Sequence, residues 1–461
     1  MSEIYTTPSI EIETTLSIEE LFSQLTKLEP KPIANFVPTN SAEQKDLFLS
    51  GEIRNPDHEY GKLDAIDFDS NRQKIIAIGE KLASHPDTKE KYVDVYQQFA
   101  QNYVNKTNFM ELASKFKNAE SDDEKEAVKS DFMKLNVELF GEPDQTTYRS
   151  LIGEKIAKIQ EKKLSKKGRK IRDELFELVD VTTVEKTERF KPSQKTIDWL
   201  HDIAASEESL YGSLLEHVPE QETFSDEEIK AVFEEIIVVE FGLTLWASPE
   251  DDGKLWQVVI EDAQSINVKA PDKKIVIPEG REINEPTMRA LVAPEIGVHF
   301  LRSVMGEQTD LAPLKWGLSE YYDTEEGLGS VMEQAVMGVY REAGTDHYIT
   351  AGLAQFDGKD FRDIFETKWR LSLLSTTKGN PLEEDITKAK SNAYGATMRI
   401  MRGTDELPWF KDLSYYNGSA EVWKHLESIC GDDTEFLLVL LGKANSGNRE
   451  HRRILLETAT V

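Results

Sequence analysis

Apolar residues recur at every fourth position in the segment from residue 288 to residue 304. This spacing predicts one buried face of an amphipathic helix, formed by Met288, Val292, Ile296, Phe300 and Val304. At about 100° per residue, Glu295 and His299 project beside that face. A carboxylate and an imidazole at the edge of a core are costly without polar partners. This helix is therefore the first candidate for a functional site.

The hydrophobic pattern predicts short strands before this helix and long helices around them. Four β-rich runs separated by turn residues predict a small sheet: 243–247, 255–260, 265–269 and 274–278. Residues 64–140 and most of the chain beyond Glu326 have helical spacing. The predicted fold class is α+β, mainly α-helical, with a small β-sheet followed by the candidate helix and by a second, facing helix.

Length and composition predict three regions along the chain. A chain of 461 residues favours two or three domains. Residues 1–40 are polar and contain four prolines, which predicts a poorly ordered lead-in. Residues 41–190 form a predicted N-terminal helical region, and residues 191–461 form a predicted domain that contains the candidate helix.

Charge and cysteine content narrow the class of protein. A formal charge of −30 disfavours attraction to nucleic acid or to anionic lipid, so neither nucleic acid nor a membrane is an expected partner. The single Cys430 and the lack of a long apolar run or signal peptide predict a soluble, cytoplasmic protein. Residues 154–172 carry nine Lys or Arg, which fits either a phosphate-binding surface or a solvated helix face. Because no aromatic residues are interleaved for base stacking, the solvated face is the favoured interpretation.

The carboxylates that follow the candidate helix indicate a possible metal site. Glu326 lies 27 residues after His299, which leaves room for a loop and a facing helix, and Glu333 lies one heptad further on. Catalytic zinc ions are held by three protein ligands and a water, with a carboxylate as the proton acceptor. The usual His-Glu-x-x-His motif is absent. A buried Glu–His pair with capping carboxylates is the alternative interpretation.

Two motifs resemble a known metallopeptidase family. Pro-Glu-Ile-Gly-Val-His (294–299) and Thr-Glu-Glu-Gly-Leu-Gly (324–329) are similar to motifs of the microtubule-associated tyrosine carboxypeptidases. Bacterial relatives of that family are the flavohaemoglobin expression-modulating proteins with a Gln-Glu-Gly-Leu-Ala motif. The family pattern is His-Glu-x-Gly-x-His followed by Gln/Glu-Glu-Gly-Leu-Ala. Weaker similarity extends over most of the chain from about residue 50, at 55–60, 139–143, 361–363, 399–403 and 410–418.

The resemblance implies a zincin-like domain that hydrolyses C-terminal residues of peptides or proteins. It implies Glu295 as the general base and His299 and Glu326 as zinc ligands, whereas Glu325 stands at the variable Gln/Glu position. The family's first zinc-binding histidine falls on Pro294, which has no metal-binding atom. Losing one of three ligands weakens zinc binding by orders of magnitude. Residues five apart on an ideal helix lie about 140° apart. Positions 294 and 299 therefore need a widened turn, which Gly297 would permit, before they can face one ion.

Cationic residues in the last segments that resemble the family, at 399–403 and 410–418, are candidates for substrate binding. A peptide's terminal carboxylate is best bound by a cation, for which Arg399, Arg402 and Lys411 are candidates. Ordinary salt bridges are the alternative role for these three residues. Tyr415 is a candidate for contact with the leaving residue, together with Trp409 and Tyr416.

Two functions within the family stay open at this point. The first is a zinc carboxypeptidase that uses a replacement ligand, for which the sequence offers His201, His217, His347 and His425. The second is a catalytically inactive member that serves as a binding or regulatory protein. In either case the expected partner is a peptide or protein C-terminus. An acidic tubulin tail is poorly matched to so acidic a chain.

Overall fold

A computed structural model describes residues 16–179, 188–206, 208–251, 253–263 and 265–458. Across these residues the chain is mainly α-helical, with two small sheets, so the predicted α+β fold class is confirmed. The helices are α1 Ile18–Thr26, α2 Pro32–Asn35, α3 Ser41–Ser50, α4 Gly61–Asp64, α5 Phe68–Ser84, α6 Val93–Lys117, α7 Asp122–Phe140, α8 Gln145–Gln160, α9 Lys166–Leu178, α10 Gln194–Ala205, α11 Leu210–Glu216, α12 Asp226–Val239, α13 Glu285–Pro294, α14 Leu301–Glu307, α15 Pro313–Trp316, α16 Tyr321–Val336, α17 Thr345–Gln355, α18 Phe361–Thr376, α19 Glu383–Met401, α20 Ser414–Ser428, α21 Asp433–Leu440 and α22 Arg449–Thr458. Within these ranges no helix is long and apolar enough to cross a membrane.

The strands are β1 Thr223–Phe224, β2 Gln257–Glu261, β3 Asn267–Lys269, β4 Lys274–Pro278 and β5 Ile283–Asn284. β4 lies between β2, which runs parallel to it, and β3, which runs antiparallel; β1 pairs with β5. Three of the four predicted β-rich runs therefore form strands. The run at 243–247 does not, since it contributes one bridge, from Leu245 to Trp256, and its side chains are mostly exposed.

The candidate helix packs on the three-stranded sheet through the predicted apolar stripe. Asn284 caps α13 by accepting a hydrogen bond from the Thr287 amide at 3.0 Å, and Pro286 lies in the first turn. The stripe is buried in one cluster with sheet residues such as Val258 and Ile275. The stripe is Met288, Val292, Ile296, Phe300 and Val304. Burial of this face fixes the orientation of Glu295 and His299, which lie beside it.

The N-terminal helices share a core with helices from the second half of the chain. α8 and α9 pack on α17 and α18, and Phe48, Tyr148 and Leu175 are buried in one cluster with residues of α17–α19. The predicted boundary between residues 190 and 191 stays a prediction.

Residues 16–40 contain the helices α1 and α2, and the poorly ordered lead-in at residues 1–40 stays a prediction. Ser17 and Glu20 form a reciprocal capping box at the start of α1. Leu21, Phe22 and Leu25 are then buried in a cluster with α5 and α6 residues. Pro32 lies in the first turn of α2, where proline favours a helix instead of breaking it. The first 15 residues of the predicted lead-in lie outside the described part of the chain.

The basic segment 154–172 joins neighbouring helices. The Lys162 ammonium donates to the carbonyl oxygens of Leu374, Ser375 and Thr377 at the end of α18. Lys167 pairs with Glu383 at 2.7 Å. These contacts give part of the segment's charge a structural role.

α16 and α20 cross at a point where two glycines meet. A Cβ atom placed on Gly327 would lie 2.3 Å from the Gly418 carbonyl group, and one on Gly418 would lie 2.0 Å from the Asp323 carbonyl oxygen. Neither position has room for a side chain. This close crossing sets the distance between α16, which carries Glu325 and Glu326, and α20, which carries Tyr415.

Substituting Gly327→Ala is expected to lower the free energy of unfolding by about 1–3 kcal/mol, because the added methyl group forces the two helices apart. Chemical denaturation measures this change. Gly395→Ala is the matched control, since a Cβ there meets nothing within 4 Å; it should raise stability by up to about 1 kcal/mol through helix propensity. Equal effects at the two positions would contradict the close crossing.

Candidate functional site

The candidate helix contains a π-helical turn at its centre. α13 ends at Pro294, residues Glu295–Phe300 form the π-turn, and α14 begins at Leu301. Proline has no amide hydrogen to donate to a regular ladder. The Gly297 carbonyl accepts a hydrogen bond from the Tyr211 hydroxyl at 2.8 Å, and a Cβ on Gly297 would lie 2.4 Å from the Tyr211 ring. Only glycine fits against this ring without a shift.

The π-turn brings positions 294 and 299 to the same side of the helix. His299 Nε2 and Pro294 Cβ lie 3.2 Å and 3.5 Å from one point, the position of a Cβ on Gly329 in α16. The widened turn that the five-residue spacing requires is thus confirmed. The geometry that would present two ligands is retained, although residue 294 has no donor atom.

Glu325 orients the imidazole of His299. Its Oε1 accepts a hydrogen bond from His299 Nδ1 at 2.9 Å, which leaves Nε2 turned toward Gly329. Burial alone would raise the pKa of Glu325, but Lys443, Arg302 and His299 lower that pKa far below its usual range. Sequence reasoning missed this role. The signal was the variable Gln/Glu position of the family motif, since glutamine and glutamate both have a side-chain oxygen that can accept a hydrogen bond from histidine.

Arg302 connects this pair to the loop after α21. It is fully buried and donates to Glu325 as well as to the carbonyl oxygens of Val439, Gly442 and Ala444. Lys443 in the same loop lies 3.2 Å from Glu325. The charge of Glu325 is therefore balanced inside the protein, and the loop is fixed against the π-turn.

A cleft of about 290 Å³ lies between the π-turn and α16. Its lining residues include Pro294, Glu295, His299, Glu326, Gly329, Ser330, Glu333 and Tyr415. The structure thus brings the three predicted catalytic and metal-site residues together, with Tyr415 beside them. We call this space the π-turn cleft.

Glu295 is the most strongly perturbed carboxyl group in this cleft. Its Oε2 is buried and has no hydrogen-bond partner among the described residues. Burial raises its pKa to about 7; His299 acts to lower that pKa, while Glu326 and Glu325 raise it further. Burial acts to lower the pKa of His299, but its bond to Glu325 and the surrounding carboxylates raise it overall.

The candidate carboxylate-binding residues lie beside Tyr415. The Arg399 guanidinium binds both oxygens of Asp412 and lies 3.2 Å from the Tyr415 hydroxyl. The Lys411 ammonium lies 3.4 Å from Asp412 and faces the rings of Tyr322 and Tyr415 at 4.6 Å and 5.4 Å. Arg399 and Lys411 therefore have the salt bridges of the alternative interpretation. They share one carboxylate between them.

Arg402 differs from these two cations. Its guanidinium has no hydrogen bond or ion pair with the described residues, and its Nε is buried. It lies 4.7 Å from the centre of the Trp409 ring, and burial lowers its pKa. Asp412 acts to raise that pKa but forms no hydrogen bond or ion pair with Arg402, so the burial of this guanidinium is only partly compensated. We name Arg399, Arg402, Lys411 and Asp412 the cation cluster.

A tight turn held by the N-terminal region follows Arg402. Gly403 and Asp405 both have positive φ, at 96° and 64°. Asp405 accepts hydrogen bonds from His58, Tyr60 and Lys117 at 2.7–2.9 Å. Sequence spacing could not reveal this contact, because the partners lie about 300 residues apart.

The four candidate replacement histidines do not line the π-turn cleft. His201 bonds to the Ala335 carbonyl, and His217 pairs with Glu235 and Glu240. His347 packs against the Tyr415 ring at 5.4 Å, and His425 lines a separate surface pocket with Glu421.

Comparison with models of protein families shows to which family the chain belongs. The family model described as "Microtubule-associated tyrosine carboxypeptidase" matches residues 212–453, just over half of the chain. The chain belongs to the microtubule-associated tyrosine carboxypeptidase family. The matched segment contains both halves of the π-turn cleft and the cation cluster. The residues that hold the Asp405 turn lie before it.

Two further comparisons do not bear on function. None of the curated proteins matches this chain. One solved structure, "a putative lipoprotein of unknown function from Shewanella oneidensis", is similar over 97% of this chain and 89% of its own, at 12% identity and a TM-score of 0.30.

For a member of this carboxypeptidase family, the donor set of the cleft does not fit a catalytic zinc ion. Such an ion needs three protein ligands. His299 Nε2 and Glu326 provide two, Glu295 would be required as the base, and Pro294 provides none. The described part of the chain contains no group of three or more His, Cys, Asp or Glu residues placed to hold a metal.

The buried Asp412 is expected to make stability depend on pH. Burial acts to raise its pKa, but Lys411 and Arg399 lower it to about 2, so its stabilising effect is present above about pH 4 and lost as the pH falls toward 2. The difference in unfolding free energy between wild type and Asp412→Asn should shrink by about 2 kcal/mol over that interval. Denaturation series at several pH values measure it. A difference that does not change with pH would contradict the pairing.

Proposed function

We propose that this protein binds the C-terminal segment of a peptide or protein, and that it acts as a binding or regulatory member of its carboxypeptidase family. The carrying observation is Arg402, a partly buried guanidinium that forms no hydrogen bond or ion pair with the described residues and whose Nε is buried. A terminal carboxylate is the ligand group that would complete it, since a guanidinium forms two parallel hydrogen bonds to a carboxylate.

The surroundings of Arg402 favour an anion. Arg399 and Lys411 share one carboxylate, Asp412, and Arg402 forms no ion pair with the described residues, so the cation cluster carries an excess of positive charge. Tyr415 connects this cluster to the π-turn cleft, because its hydroxyl contacts Arg399 and its side chain lines the cleft. A carboxylate bound at Arg402 would thus place the last residue of the ligand next to the cleft.

The size of the cleft suits such a residue. Its volume of about 290 Å³ lies at the lower end of small-ligand sites, which span about 300–1,000 Å³. A terminal side chain is of this scale, whereas a folded domain would contact only the rim.

Position 294 is the reason to assign binding instead of hydrolysis. Proline removes one of the three ligands that a zinc-bound water needs. One observation favours the second function, a zinc carboxypeptidase with Glu295 as general base: its pKa of about 7 suits proton transfer at neutral pH. That function needs a further metal ligand, which the four other histidines considered do not supply to this cleft.

A peptide with a free C-terminal carboxylate is expected to bind about tenfold or more tightly than the same peptide with a C-terminal amide, because only the carboxylate completes Arg402. Arg402→Gln should abolish this preference. Calorimetry or fluorescence anisotropy measures both affinities.

Arg281→Gln is the charge-matched control, since Arg281 is exposed and lies outside the cleft, and it should retain the preference. Equal affinity of the wild type for the acid and the amide would contradict the proposal. Release of C-terminal residues by the wild-type protein would favour the second function.

A further inference from the structure

We infer that the ligand's last residue is basic, and that its ammonium or guanidinium group binds in the π-turn cleft at Glu295 and Glu326. This inference rests on the proposed function and names the class of ligand. A C-terminal Lys or Arg would bind with its carboxylate at Arg402 and its side chain in the cleft.

Acidic side chains outnumber basic ones in the cleft wall, where His299 is the basic lining residue. Glu295, Glu326 and Glu333 line it, and none of its lining residues is Lys or Arg. Glu333 already has a cationic partner, Arg341. Neither Glu295 nor Glu326 has an ion pair with a Lys or Arg in the described part of the chain. His299 attracts Glu295 and Tyr322 bonds to Glu326, but neither carboxylate has a Lys or Arg partner among the described residues, so both can take a cationic group of a ligand.

The hydrogen bonding of Glu295 is a second observation that supports a cationic ligand. Glu295 Oε2 is buried yet has no hydrogen-bond partner among the described residues. Buried side-chain oxygens in proteins are nearly always bonded to a donor. The neighbouring Glu325 shows the contrast, because it is buried and accepts bonds from His299 and Arg302. An ammonium or guanidinium group carries the hydrogen-bond donors that Glu295 lacks.

The chemistry of the cleft suits an organic cation better than a metal ion. An ammonium group accepts varied directions and numbers of oxygen partners, whereas zinc requires a defined set of ligands that Pro294 makes incomplete. Ser330 lines the same cleft and offers a further hydroxyl acceptor.

A ligand with a negatively charged last side chain would be repelled in the π-turn cleft. A C-terminal Glu would bring a carboxylate to Glu295 and Glu326 in a partly buried site, where like charges repel strongly. The net charge of −30 also attracts cationic peptides over a longer range. Cleft and overall charge therefore favour the same ligand class, and the test must separate them.

The test uses four peptides that differ only in the last residue, which is Lys, norleucine, Glu or Tyr, each as free acid and as amide, with the full-length protein and a metal chelator. The Lys peptide is expected to bind about tenfold more tightly than the norleucine peptide, which has similar length without the charge. The Glu peptide is expected to be the weakest.

Glu326→Gln should remove most of the Lys preference, and Glu295→Gln provides a second variant if the first fails to fold. Glu222→Gln changes the net charge equally at an exposed position outside the cleft and should leave the preference intact. An equal loss in Glu222→Gln would overturn the inference by assigning the preference to long-range charge.

The peptide series separates this inference from the proposed function. If free acids bind better than amides but Lys and norleucine peptides bind equally, the inference is wrong and the proposed function stands. If acids and amides bind equally, the proposed function itself fails. If the Tyr or Glu peptide binds most tightly, the inference is also overturned.

Discussion

The arrangement of the whole site depends on the π-turn at residues 295–300. The stripe residues Ile296 and Phe300 are held in the core against the sheet, so the widened turn is accommodated on the other side of the helix. That side presents residues 294, 295 and 299 to α16. In a regular helix, positions 294 and 299 would diverge by about 140°. Tyr211 packs against Gly297 of the turn and donates a hydrogen bond to its carbonyl oxygen.

Buried charges then fix the parts that meet at this turn. Glu325 on α16 pairs with His299, with the fully buried Arg302 and with Lys443, so the π-turn, α16 and the loop after α21 are joined by one carboxylate. Breaking a buried pair of this kind is far more costly than losing a surface salt bridge. Arg402 differs, since its guanidinium forms no hydrogen bond or ion pair in the described part of the chain.

The predictable parts of the structure are those set by local spacing. The apolar stripe predicted the buried face of the candidate helix, and the five-residue distance from position 294 to position 299 predicted a widened turn. The run at 274–278 forms a strand with the predicted bounds. Clustering of Glu295, His299 and Glu326 was implied by family resemblance, and the geometry places all three in one cleft.

Features that depend on distant contacts could not be predicted. The Asp405 turn depends on side chains from opposite ends of the chain, which no periodicity reports. The run at 243–247 has strand-like composition but no neighbouring strand to pair with along its length. The apolar face of α1 packs against α5 and α6, a tertiary contact that composition does not reveal.

The most direct test of the central claim, that Pro294 separates a retained cleft from a lost metal site, is the zinc affinity of the purified protein. Wild type and Pro294→Ala, which removes the ring without adding a donor, should both bind zinc weakly. Pro294→His should bind one zinc per chain about two orders of magnitude or more tightly, because the π-turn already brings that position near His299 Nε2 and Glu326 lines the same cleft. Tight, stoichiometric zinc in the wild-type protein, unchanged by Pro294→His, would contradict this account.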